Sequence, residues 1–168
     1  MANTYTLIEA KTLGSAAATV SFTSIPSTYT DLKFLCSVKS TRAGNDAENF
    51  YIKFNGSSSS FSARSLGGDG SSAFSFTGTN YAGVVDGDTS ASTNTFANLE
   101  IYIPNYAGSN NKSYSVDSVS EANATLVYAL LTAGLWSNSA AISSVDFNVE
   151  FTTIAAGSSF YLYGISKS

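Results

Sequence analysis

Apolar and polar residues alternate with a period of two from one end of this chain to the other, and stretches with helical period are almost absent. Successive side chains of a strand point to opposite faces, so the pattern builds half-buried strands and excludes a helical bundle. Leu32, Phe34, Cys36 and Val38 form one unbroken inward row, and Phe50, Ile52 and Phe54 form a second. Val145, Phe147, Val149 and Phe151 form a third. Val20 and Phe22 oppose Thr19, Ser21 and Thr23, while Leu99, Ile101 and Ile103 alternate with Asn98, Glu100 and Tyr102.

Further strands are expected over 5–12, 61–66, 112–121 and 160–165. Two short ones are expected around Phe74-Ser75-Phe76 and Tyr81 to Val85, inside a stretch from Gly67 to Asn94 rich in Gly, Ser, Thr and Asp. Asn55-Gly56 tolerates the positive φ angles of a type I′ turn, which predicts a hairpin from Phe50–Phe54 into Phe61–Leu66. Pro104 should end the strand before it, because it cannot donate to a ladder. Lys112 to Glu121 is mostly polar and expected at a sheet edge or with one face in an interface. Ala124 to Trp136 could form a short buried helix, but Val127, Tyr128 and Thr132 favour a long buried strand. Without crossover helices, a parallel sheet is excluded. The reading is one all-β domain spanning 1–168, a two-sheet antiparallel β-sandwich of roughly 8–10 strands in jelly-roll order. Asn-Tyr-Ala-Gly recurs at 80–83 and 105–108 with unmatched flanks, which marks coincidence and not a repeat.

A chain of 168 residues can bury a core without metal or disulfide help. Charged residues make up only 12%, about half the usual share, so 30 Ser, 17 Thr and 13 Asn must supply solubility. A net charge of −4 is small and of the wrong sign for nucleic acid. Cys36 stands alone in an apolar row and is expected in the core, with no intrachain disulfide. The opening residues lack the basic and apolar regions of a secretory signal, and no run approaches the roughly 20 apolar residues of a membrane helix. Synthesis in a cytoplasm, without a membrane partner, is the expectation.

The chain has no histidine, which removes every His-based general base, triad and zinc site. Acid–base work would fall to carboxylates, of which Glu100, Asp117, Asp146 and Glu150 lie on strands. Each occupies a polar alternating position where solvation is the simpler reading. Asp86 and Asp88, with Asp69, offer oxygen ligands for a calcium ion, but Asp-Gly is above all a turn dipeptide and regular ligand spacing is missing. Gly67-Gly68-Asp69-Gly70 lacks the Lys-Ser/Thr of a phosphate loop. No catalytic residue, cofactor or metal is therefore expected. Asn55, Asn111 and Asn123 open glycosylation-type tripeptides that chance explains in so Asn- and Ser-rich a chain. Tyr102 and Tyr106 are expected to be exposed and Trp136 to lie in the core or a subunit contact, which makes these three the candidate interface residues.

Several segments carry a resemblance. Thr23 to Leu32, Ile52 to Gly56, Ile101 to Gly108 with the following Lys112-Ser-Tyr-Ser, and Ala133 to Asn138 resemble small virion proteins of tailed phages of aquatic bacteria, especially cyanophages. The resemblance covers most of the chain in order, is weakest over 67–97, and carries over no functional residue. It implies a jelly-roll-like building block of a phage virion. A non-enzymatic capsid decoration, or cement, protein is the leading expectation, with the major capsid protein and copies of itself, as a homotrimer, for partners. The alternative is a tail-fibre or receptor-binding head that recognises a host-surface glycan.

Overall fold

The computed structural model describes residues 4–90, 92–121 and 127–166, and they form strands without a helix. In chain order these are β1 (Tyr5–Thr12), β2 (Val20–Phe22), β3 (Asp31–Ala43), β4 (Ala47–Phe54), β5 (Phe61–Gly68) and β6 (Ala73–Gly78). They continue as β7 (Tyr81–Asp88), β8 (Ala97–Ile103), β9 (Lys112–Glu121), β10 (Val127–Trp136), β11 (Val145–Val149) and β12 (Ser159–Ile165). The all-β expectation holds, and the ambiguous segment before Trp136 is a strand. Residues 124–126 of that segment, and Asn123, lie outside the described residues.

Two layers are joined through one strand. The first half of β3 pairs with β12 and β8, inside a layer ordered β1-β12-β3-β8-β9-β10-β5-β6. The end of β3 crosses into the opposing layer, ordered β2-β11-β4-β7, and pairs with β7. That last pairing is parallel, Lys39 facing Asp86 and Ala43 facing Asp88, a short departure from the antiparallel pairing expected of the sandwich. The crossover from β3 to β7 is made by three intervening strands and their turns, which span the distance as well as a helix would.

Two local expectations also change. Asn55 and Gly56 do take positive φ, 52° and 72°, and Ser57 N donates to Phe54 O at 2.9 Å. Yet β4 does not pair with β5. The turn hands the chain from one layer to the other, and Asn55 anchors it by donating to Ala141 O and accepting from Ser143 N and Ser144 N. β9 is not an edge strand but lies between β8 and β10. Its inward side is partly polar, and Lys112 at its start sends its ammonium to the carbonyls of Gly108 and Asn110.

The core is an aromatic contact between the layers. Phe34 of β3 meets Phe147 of β11 edge to face at 5.1 Å and Phe22 of β2 at 5.3 Å. Phe160 of β12 stacks on Phe147 at 5.7 Å. Cys36 is buried in the same core, in keeping with its place in the sequence pattern. Beyond them Phe54, Phe61, Tyr114 and Trp136 form a second aromatic group. Tyr114 lies across Gly134, its register partner on β10, where a β-carbon would stand 1.9 Å from Tyr114 Cζ. The bare glycine lets the ring lie flat enough for its hydroxyl to donate to Tyr81 O on β7 at 3.0 Å.

Gly134→Ala is expected to cost about 1–3 kcal/mol by overpacking, although alanine is otherwise no worse in a strand. Urea unfolding should show that cost, and the cost should vanish in a Tyr114→Ala background. Burial holds the phenols of Tyr81 and Tyr114 and the thiol of Cys36 well above their usual values. Their neutral forms are favoured in the fold, so the stability they contribute is complete below the unfolded-chain values. It falls as pH rises past about 8.5 for the thiol and about 10 for the phenols. Urea midpoints measured from pH 7 to 11 should decline in that order, and Cys36→Val should remove the first part of the decline.

Candidate interaction face

The central strands of the larger layer have one side in the core and one side open. On β9 the buried positions are Lys112, Tyr114, Val116, Ser118 and Ser120, and the intervening ones face outward. The ladder registers place outward residues of successive strands side by side. One row runs Leu66, Leu131, Asp117, Glu100, Leu35, Tyr161 across β5, β10, β9, β8, β3 and β12. Its neighbour runs Arg64, Ala133, Ser115, Tyr102, Lys33, Tyr163 across the same strands.

Two parts of this face differ in chemistry. Over β9, β8, β3 and β12 lies an open groove of about 530 Å³, lined among others by Leu35, Glu100, Asp117, Val119, Tyr161 and Tyr163. Glu100 and Asp117 are directly opposed on adjacent strands, an arrangement that repels and so contributes nothing to the sheet. Lys33 Nζ offsets half of it, 2.7 Å from Glu100 Oε1. Asp117 has no partner among the described residues. The groove therefore offers two aromatic faces and an aliphatic floor beside unsatisfied carboxylate oxygen, a surface for stacking and for accepting hydrogen bonds. Over β5 and β10 the face is aliphatic. Leu66 is 64% exposed, Leu131 60% and Leu135 36%, with exposed Ala133 between the last two and exposed Ala129 beyond Leu131.

Of the three candidate interface residues, Tyr102 belongs to this face. Its hydroxyl donates to Asp31 Oδ2 at 2.8 Å, and that bond to a carboxylate is the main reason its phenol is held above the usual value. Tyr106, expected in an exposed loop, is fully buried. The turn at Asn105, with φ of 49°, folds the ring back between the layers, where its hydroxyl donates to Pro26 O. Trp136 is buried against Phe54 and Phe61 and not on the surface.

The acidic candidates divide. Glu100 and Asp117 come together; Asp146 lies on β11 of the other layer, and Glu150, just past that strand's end, accepts from Asn49 at 2.8 Å. Asp69, Asp86 and Asp88 do not converge. Asp69 accepts from Ser71 and Ser72 within its own turn. Asp86 is buried and accepts from Ser120 at 2.5 Å. Asp88 pairs with Lys39 Nζ at 2.9 Å, and the same ammonium donates to Ser92 O, so a lysine stands where the sequence suggested a cation. Among the described residues no group of three metal-ligating side chains gathers.

Leu35, Leu66, Leu131, Tyr161 and Tyr163 were not singled out from the sequence. Leu35 and Leu66 gave a signal as parity, each an apolar residue on the polar side of its alternation; Leu131, Tyr161 and Tyr163 lie on strands whose outward side is itself mostly apolar or aromatic, where parity carries no signal. No protein-family model matches the chain, and no curated protein matches it significantly.

If Asp117 is held for contact with another molecule and not for the fold, Asp117→Asn should leave stability unchanged or raise it by about 0.2–1 kcal/mol, by relieving the repulsion from Glu100. A loss of more than that in urea unfolding would assign Asp117 a structural task.

Proposed function

We propose that this chain is a non-enzymatic structural protein of a phage virion, a capsid decoration protein that stabilises the shell by binding neighbouring capsid subunits. The observation that carries a binding role is the open face of the larger layer, where Leu35, Val119 and Tyr161 stay exposed and Tyr163 half-buried beside an unpartnered Asp117. Tyrosine with aliphatic neighbours is the composition of protein interfaces, and apolar side chains on an otherwise polar surface mark contact sites. The virion setting is supported by the resemblance of the segments around Thr23–Leu32, Ile101–Gly108 and Ala133–Asn138. Burying this face only on the assembled shell would lower the free energy of that state by mass action.

A non-catalytic reading is supported by the character of the carboxylate pair. A general acid at neutral pH needs a site that keeps its proton. Glu100 is instead half-exposed and ion-paired with Lys33 on an open sheet face. The groove also favours a second reading, a head that binds a neutral glycan, because tyrosine rings beside carboxylate acceptors suit sugar rings and hydroxyls.

Quantitative mass spectrometry of purified particles separates the two readings. Hundreds of copies per particle are expected for decoration and a handful for a tail head. Tyr161→Ala with Tyr163→Ala should lower shell occupancy at least about tenfold while the circular dichroism spectrum is kept. Full occupancy by that variant would sink the assignment of this face. Shifts of groove resonances on titration with neutral oligosaccharides, together with a low copy number, would favour the glycan head.

A further inference from the structure

The aliphatic part of the face adjoins the tyrosine groove along β9 and carries its own pattern. Leu66 and Leu131 are direct register partners on β5 and β10, and both are about two-thirds exposed. Leu135 stands along β10 from Leu131, with the small residue Ala133 between them and Ala129 beyond Leu131 keeping the surface flat. Charges flank these leucines with opposite sign on opposite sides. Arg64, on β5, has no charged or hydrogen-bonded partner among the described residues. Asp117, on β9, has none either. β10 lies between them.

We infer that two copies of this chain stack face to face through β5, β10 and β9, about a two-fold axis lying in the interface and running close to β10. A patch that binds its own copy must be self-complementary under the symmetry operator. An in-plane axis along β10 lays β10 on β10 and each β5 on the other copy's β9, which brings each Arg64 diagonally toward Asp117 of the second copy. An in-plane axis across the strands would instead lay β5 on β5 and leave all four charges unpaired, so the charges select the first arrangement. Facing sheets pack about 10 Å apart, a gap the leucines fill and an arginine spans. The pairing also explains why Leu66 and Leu131 are tolerated side by side on an open face. It stands independently of the virion reading and differs from the trimer that the resemblance suggested; the β3 and β12 wall of the tyrosine groove remains uncovered.

Sedimentation equilibrium on the full chain across micromolar concentrations tests this. A monomer–dimer equilibrium is expected. Leu131→Asp and, separately, Leu66→Asp should each raise the dissociation constant by at least about tenfold with an unchanged circular dichroism spectrum. Arg64→Asp and Asp117→Arg should each weaken the dimer, and the double exchange should restore it to within about threefold of the parent, because the exchanged pair is again complementary. A monomer throughout the micromolar range, a dimer indifferent to Leu131→Asp, or a double exchange no better than the singles would each overturn the arrangement. Copy number on particles is a separate measurement, so failure here leaves the virion reading standing.

Discussion

The edge-to-face contact of Phe34 with Phe147, extended by Phe160 and Phe22, is what the remainder of the fold depends on. It joins side chains from both layers, Phe34 lying in the part of β3 that pairs with β12 and β8, ahead of the crossing at Lys39. Because β3 belongs to both, the layers cannot slide without breaking its ladder to β8 and β12 or its short parallel pairing with β7. A chain with one cysteine and no histidine has no covalent or His–metal staple to fall back on. Aromatic area in this layer, with ring pairs worth about 0.5–1.5 kcal/mol beyond their burial, takes that place.

Away from the phenylalanines the layers are held by buried polar contacts. Tyr114 donates to Tyr81 O, Ser118 Oγ accepts from Val84 N, and Ser120 donates to buried Asp86. Ser65 and Thr132 share a hydrogen bond at 2.8 Å between β5 and β10. Buried Glu48 accepts from Phe151 N, Thr152 N and the Thr152 hydroxyl, which fixes the chain beyond β11. Each contact has a direction, and a buried polar group without its partner is costly. Such contacts specify register where a purely apolar interface would tolerate slippage. They also explain why so many Ser and Thr occur on inward positions, as β9 shows.

The open face follows from the same accounting. Eight strands side by side present far more surface than the smaller opposing layer, and alternation puts half of their residues outside. Ser62, Ser75, Thr77, Asn98, Ser113 and Ser115 are among them. The departures from that polarity, leucines on β5 and β10 and tyrosines on β12, fall next to one another only because β10 follows β5 and β12 follows β3 in the sheet order.

Period-two alternation by itself determined that this is an all-β chain, which faces of its strands are buried, that Cys36 lies inside and that Pro104 closes a strand, because these follow from the geometry of single strands. Only the tertiary structure decided which strands are neighbours. It opposed Glu100 to Asp117, put Leu66 beside Leu131, replaced a suspected cation site with Lys39, turned β4 away from β5 and drew Tyr106 into the core. Pairing between strands far apart in sequence is set by how whole faces pack together, and no window of residues contains that information.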